Sequence, residues 1–116
     1  MDALTTSFAS YYQDQQVRNA SYYGTRAVSK THLTEIRRGA ARMANRVADY
    51  LPAAVAEVDR FDTLDGLSFN ADSDEMALAL QWAIYRRGWQ STEFTTFQLR
   101  PDGGEETVVK VEGRIK

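Results

Sequence analysis

Residues Thr31 to Leu51, THLTEIRRGAARMANRVADYL, carry the longest unbroken helical period in the chain, and any fold it adopts must cover one side of that stretch. Leu33, Ile36, Ala40, Met43, Val47 and Tyr50 recur at alternating intervals of three and four. Positions so spaced line up on one side of an α-helix. Arg38, Arg42 and Arg46 fall roughly opposite that stripe, which predicts a helix with an apolar side for a core and a basic side for water or a partner.

A second helix is predicted over residues 3 to 23, with Leu4, Phe8, Tyr11, Tyr12, Gln15, Asn19, Tyr22 and Tyr23 on one side and Gly24 as its left-handed stop. The tetrapeptide ASYY occurs at 9 to 12 and again at 20 to 23. That shift is about three helical turns, so the two tyrosine pairs stack into a ledge. The ledge serves either as packing against the long helix or as a rigid aromatic contact surface. Ser29 or Thr31 is placed to cap the long helix, and the two helices form an antiparallel pair. Gly39 in mid-helix implies a close backbone approach or a bend.

Pro52 breaks the pattern and opens a short helix over Ala53 to Arg60, with Val55, Val58 and Phe61 as its apolar edge. The following DTLDGLSFNAD is turn-rich, and Leu67 to Phe69 can add a short third strand. Asp72 and Glu75 have capping-box spacing ahead of a helix over Ser73 to Arg87 that stops at Gly88. Met76, Ala77, Leu80, Ala83 and Ile84 make one apolar side of it, while Leu78, Trp82 and Tyr85 make another nearly opposite. A helix apolar on two sides belongs between layers, here between the helix pair and a sheet. Leu78, Trp82 and Tyr85 become a partner-binding face if that second layer is missing.

The C-terminus predicts a β-hairpin, Thr92 to Arg100 and Glu105 to Glu112, around the turn Pro101-Asp102-Gly103-Gly104. With a four-residue loop Arg100 faces Glu105, Phe94 faces Val111 and Glu93 opposes Glu112. A two-residue loop at Gly103-Gly104 slides the pairing by two and keeps every face. Phe94, Thr96, Val109 and Val111 then share one face, and Phe97, Leu99 and Val108 the other. The whole reads as one α+β domain over residues 1–116: an antiparallel helix pair, a short helix and a central helix packed on a C-terminal hairpin. A length of 116 residues suits one domain, and 43% hydrophobic residues suffice for one core.

The chemistry the chain excludes is as informative as what it holds. With no cysteine there are no disulfides, thiolate nucleophiles or Cys-ligated metals. His32 is the only histidine, so no His-based metal cluster exists within one chain, and beside Glu35 it suits a helix start better than a general base. Asn70, Asp72 and Asp74 imitate the start of a calcium loop, but Glu75 stands where glycine is needed and Gln81 where the bidentate glutamate belongs. Asp59, Asp62 and Asp65 are turn residues. No phosphate loop or nucleophile elbow is present. The expectation is a non-enzymatic protein with no cofactor and no metal. No apolar run is long enough to span a bilayer and no leader pattern opens the chain, which predicts a cytoplasmic protein.

Net charge is −2, against a general polyanion binder, yet residues 1 to 60 hold eight Lys/Arg against six Asp/Glu and the remainder six against ten. A basic side on the first half therefore survives. Arg38, Arg42 and Arg46 repel one another at i, i+4 spacing, with Glu35 and Asp49 as partial neutralisers, and such a ridge suits an external anion. The expected function is a small protein-binding module, inhibitor or adaptor in type, a profile shared by compact inhibitors of phages and mobile elements. Its partner-binding residues are Arg38, Arg42, Arg46, Tyr11, Tyr12, Tyr22, Tyr23, Leu78, Trp82 and Tyr85. A homodimer through the hairpin edge or the Trp82 face uses the same surfaces. The alternative is nucleic-acid binding, with the arginines on phosphates and the tyrosines stacking on bases.

Overall fold

Three serine or aspartate side chains start the longer helices, each by accepting from the backbone N–H three residues on. Asp2 Oδ1 accepts from Thr5 N at 2.7 Å, Ser29 Oγ from His32 N at 3.1 Å, and Ser73 Oγ from Met76 N at 3.1 Å. Each bond satisfies one of the orphan donors of a first helical turn. The computed structural model describes residues 2–21, 27–60 and 67–115. Among them are α1 (Ala3–Ala20), α2 (Lys30–Val47), α3 (Leu51–Asp59), α4 (Asp74–Arg86), β1 (Leu67–Ala71), β2 (Trp89–Leu99) and β3 (Glu105–Ile115). The fold class is α+β as predicted. Contacts group the chain into two compact units, Met1–Ala48 and Asp49–Lys116, each taken by itself below.

The first unit is the antiparallel pair of α1 and α2. The α2 stripe is where its period puts it: Ile36, Ala40 and Val47 are buried, and Leu33 and Met43 are half-buried. Ala44, outside the predicted stripe, is fully buried as well. On α1 the buried positions are Thr5, Phe8 and Tyr11, whereas Asn19 is exposed. This helix ends at Ala20, earlier than predicted, with Ser21 as its C-cap; the Ser21 hydroxyl donates to Arg18 O at 2.9 Å and its N–H still makes the last helical bond, to Val17 O. Tyr22, Tyr23, Gly24 and Arg26 lie outside the described residues.

The Thr5 N–H bond holds the Asp2 carboxyl below its ordinary value of 3.8. A lowered folded pKa means that the stabilisation is complete above the unfolded value and is lost as pH falls through the folded one. Asp2→Asn keeps a capping oxygen without the titration. The acid-side fall in thermal midpoint is therefore expected to be shallower in Asp2→Asn than in the parent protein, and identical curves would refute the assignment.

In the second unit, α4 is the hub, touching α3 and all three strands. Ala77, Ala79, Leu80, Trp82, Ala83 and Ile84 are all buried along it. Its first apolar side is largely covered, while on the second Trp82 is buried, Leu78 half-buried and Tyr85 exposed; α3, bringing Leu51, Ala54 and Val58, packs on this helix as the three strands do. Ser73 rather than Asp72 is the N-cap, which leaves Asp74 and Glu75 in the first turn where the helix dipole favours them. Gly88 closes α4 at φ +76°, its N–H on Tyr85 O at 2.8 Å, as its place after the last periodic residue predicts. Pro52 falls in the first turn of α3, where a missing N–H costs no intrahelical bond, and a single 3-10 turn, Ala48–Tyr50, precedes it.

The sheet is antiparallel with order β1-β3-β2, so the 67–69 segment does form a strand, two residues longer than predicted. The hairpin register differs from the predicted one by a single residue. Leu99 pairs with Glu105, Phe94 with Lys110 and Glu93 with Val111. The reason is the loop: Gly103 N–H donates to Arg100 O at 3.0 Å and Arg100 N–H to Gly104 O at 2.7 Å. Pro101-Asp102-Gly103 is therefore a three-residue connection, with Gly103 at φ +87° as the left-handed bulge residue. A slip of one exchanges faces. Phe97 and Leu99 belong with Val109 and Val111, and Thr96 belongs with Val108. The predicted Glu93–Glu112 opposition does not arise. Glu112 instead meets Ser68 and Thr92.

Candidate functional site

Between α1 and α2 the first unit leaves an open groove of about 560 Å³, lined by Tyr12 and Gln16 from α1 and by His32, Glu35, Ile36, Gly39, Arg42, Met43 and Arg46 from α2. Ile36 and Met43, one buried and one half-buried, form an apolar floor, and the exposed Arg42 and Arg46 stand at its rim. Gly39 explains the opening. A Cβ built there would meet nothing nearer than Arg42 Nη2 at 3.8 Å, so no backbone approaches it. The glycine leaves groove space instead.

The ring of Tyr12 is set from below. Phe8, fully buried, stacks on it with centroids 5.9 Å apart and planes 18° from parallel, and also meets the Tyr11 ring at 6.1 Å. Tyr11 itself is buried and accepts from Gln15 Nε2 at 2.8 Å through its hydroxyl. The ledge thus divides by depth: Phe8 and Tyr11 are core, and Tyr12 faces the groove.

Among the described residues Arg38 and Arg42 have no carboxylate partner, and the expected Glu35–Arg38 pair is absent. Arg42 and Arg46 share the groove; Arg38, though exposed on the same helix, does not line it. Arg86 and Arg87 are engaged elsewhere, Arg86 over the Trp82 ring at 5.2 Å and Arg87 on Asp59 at 3.2 Å and over Trp89 at 4.4 Å.

The Leu78, Trp82 and Tyr85 face is corrected. Trp82 is completely buried and Leu78 half-buried, leaving only Tyr85, half exposed, on the outside. A side chain with no accessible area cannot meet a partner. Periodicity missed Gln16, Ile36, Gly39 and Met43 as groove residues, treating the last three as core or bend. The legible signal is a second stripe, 32, 35–36, 39, 42–43 and 46, with a glycine at its centre.

A smaller cavity in the second unit, about 290 Å³, is lined by Ala53, Glu57, Phe69, Asn70, Met76 and Leu80. Each of the two cavities holds a single carboxylate, Glu35 in one and Glu57 in the other. Among the described residues no three His, Asp or Glu side chains gather as a metal site, and no helix is long and apolar enough to cross a membrane. No protein-family model, curated protein or solved structure matches this chain.

Proposed function

We propose that the protein is a non-enzymatic binding module whose α1/α2 groove takes an acidic, apolar-anchored segment of a cytoplasmic partner protein. The observation that carries this reading is the convergence of Tyr12, Arg42 and Arg46 over an apolar floor. An anchor side chain displaces water from Ile36 and Met43, while carboxylates on the same segment meet the guanidinium forks at the rim. Tyrosine and arginine are the residue types that concentrate binding energy in such patches. Arg38, outside the groove, adds long-range attraction more than contact energy.

A photo-crosslinking residue at Met43 is expected to capture the partner in the native cytoplasm, while the same probe at exposed Asp102 does not. Arg42→Glu with Arg46→Glu should then weaken the captured complex about a hundredfold, at roughly 1.4 kcal/mol per reversed arginine. Equal affinity of the double variant and the parent would refute the groove reading.

Nucleic acid is the second reading, favoured by the run Arg38, Arg42, Arg46 beside a presented tyrosine ring. Salt separates the two. Phosphate neutralisation by two or three arginines gives log K a slope of roughly −2 to −3 against log salt, and an aromatic protein contact gives a shallow one.

A further inference from the structure

β2 is an eleven-residue strand, and among its described side chains none is buried. It is also an edge: the order β1-β3-β2 gives it β3 on one side, and nothing among the described residues pairs with the other. Long open edges are blunted in monomeric proteins by lysine, proline or a bulge. WQSTEFTTFQL has no lysine or proline and one charge, Glu93. Phe97 and Leu99, each 72% exposed, extend the face that carries buried Val111 and Phe69 out past the covered part of the sheet.

We infer that β2 is the interface of a homodimer, pairing antiparallel with β2 of a second copy to make one continuous six-stranded sheet. The Arg100–Gly104 hydrogen bond fixes which groups are available. In an antiparallel ladder the bonded pairs alternate, so the even residues of β2 turn their N–H and C=O toward β3. Ser91, Glu93, Thr95, Phe97 and Leu99 turn theirs outward. A two-fold axis normal to the sheet keeps each face on its own side and pairs odd residues with odd ones. Centred on Thr95, it sets Thr95 against Thr95, Phe97 against the stem of Glu93 and Leu99 against Ser91.

The second copy is the occupant for two reasons. Glu93 is the strand's only charge, and in this register the two Glu93 carboxylates lie four residues apart, so no like charges meet. Each molecule offers one long open edge, since β1 has only five residues, and pairing β2 with β2 closes both edges and stops at two. The dimer uses the second unit alone and stands or falls independently of the groove.

Sedimentation of the purified chain should give twice the 13.1 kDa monomer mass, and Thr95→Lys, with unchanged circular dichroism, should return it to monomer. Because the chain has no cysteine, Thr95→Cys supplies a unique probe. Cα atoms of a bonded antiparallel pair sit about 5.5 Å apart, within disulfide reach. Thr95→Cys should therefore crosslink under mild oxidation at least tenfold faster than Leu99→Cys, whose symmetry mate lies far along the strand. A monomeric parent protein overturns the proposal, as does a dimer that survives Thr95→Lys or equal crosslinking at the two positions. A β2 that waits for the extended segment of another protein would show itself as the monomeric result.

Discussion

Trp82→Ala is expected to remove about 3–5 kcal/mol of stability, the range for emptying a buried tryptophan site. The indole has no accessible surface and sits on the helix that touches α3 and all three strands, so no neighbour can close the gap without moving the others. Arg86, now over the ring at 5.2 Å, would lose its aromatic partner as well. Domains of this size are stable by only about 5–15 kcal/mol, so the second unit would be left near its unfolding threshold. Urea unfolding followed by circular dichroism gives the value, with Tyr85→Ala as the control. Tyr85 is half exposed on the same helix, and its truncation should cost less than about 1 kcal/mol. Equal losses at the two positions would mean that Trp82 is not the centre of this core.

Much of this architecture was legible because it is periodic. The three-four spacing on α2 places Ile36, Ala40 and Val47 inside, and the two-sided pattern of α4 places Leu80 and Ile84 inside on one side and Trp82 inside on the other. What covers them is a tertiary fact, and Trp82 shows the consequence: the residue that marks the second apolar side is the one most completely removed from partners. The hairpin register failed for a local reason. Pro101 and Gly103 suit a three-residue loop with a left-handed bulge, but Gly104 beside them makes a longer or shorter loop look equally good, and one residue decides the face of Phe97 and Leu99. Adjacent Asp72 and Ser73 are both good caps, and only the backbone, extended at Ser73, tells them apart. The groove was hardest to see. Its centre is a missing side chain, Gly39, and its far wall comes from Tyr12 and Gln16 on another helix.

The dependence of that wall on what lies beneath it gives the second large effect, at Phe8. Phe8→Ala is expected to cost about 3–5 kcal/mol, since the ring is fully buried and meets both Tyr11 and Tyr12. Leucine at the same position refills most of the volume and separates packing from orientation. Phe8→Leu should lose only about 1 kcal/mol of stability, yet it deletes the near-parallel stacking that sets the Tyr12 ring, an interaction worth roughly 0.5–1.5 kcal/mol beyond burial. If the groove works through a pre-set Tyr12, Phe8→Leu binds the partner several-fold more weakly while remaining folded, and in a Tyr12→Ala background the same substitution adds little further loss. Independent, additive losses from the two substitutions would mean that Phe8 supports the helix pair without orienting the groove's aromatic wall.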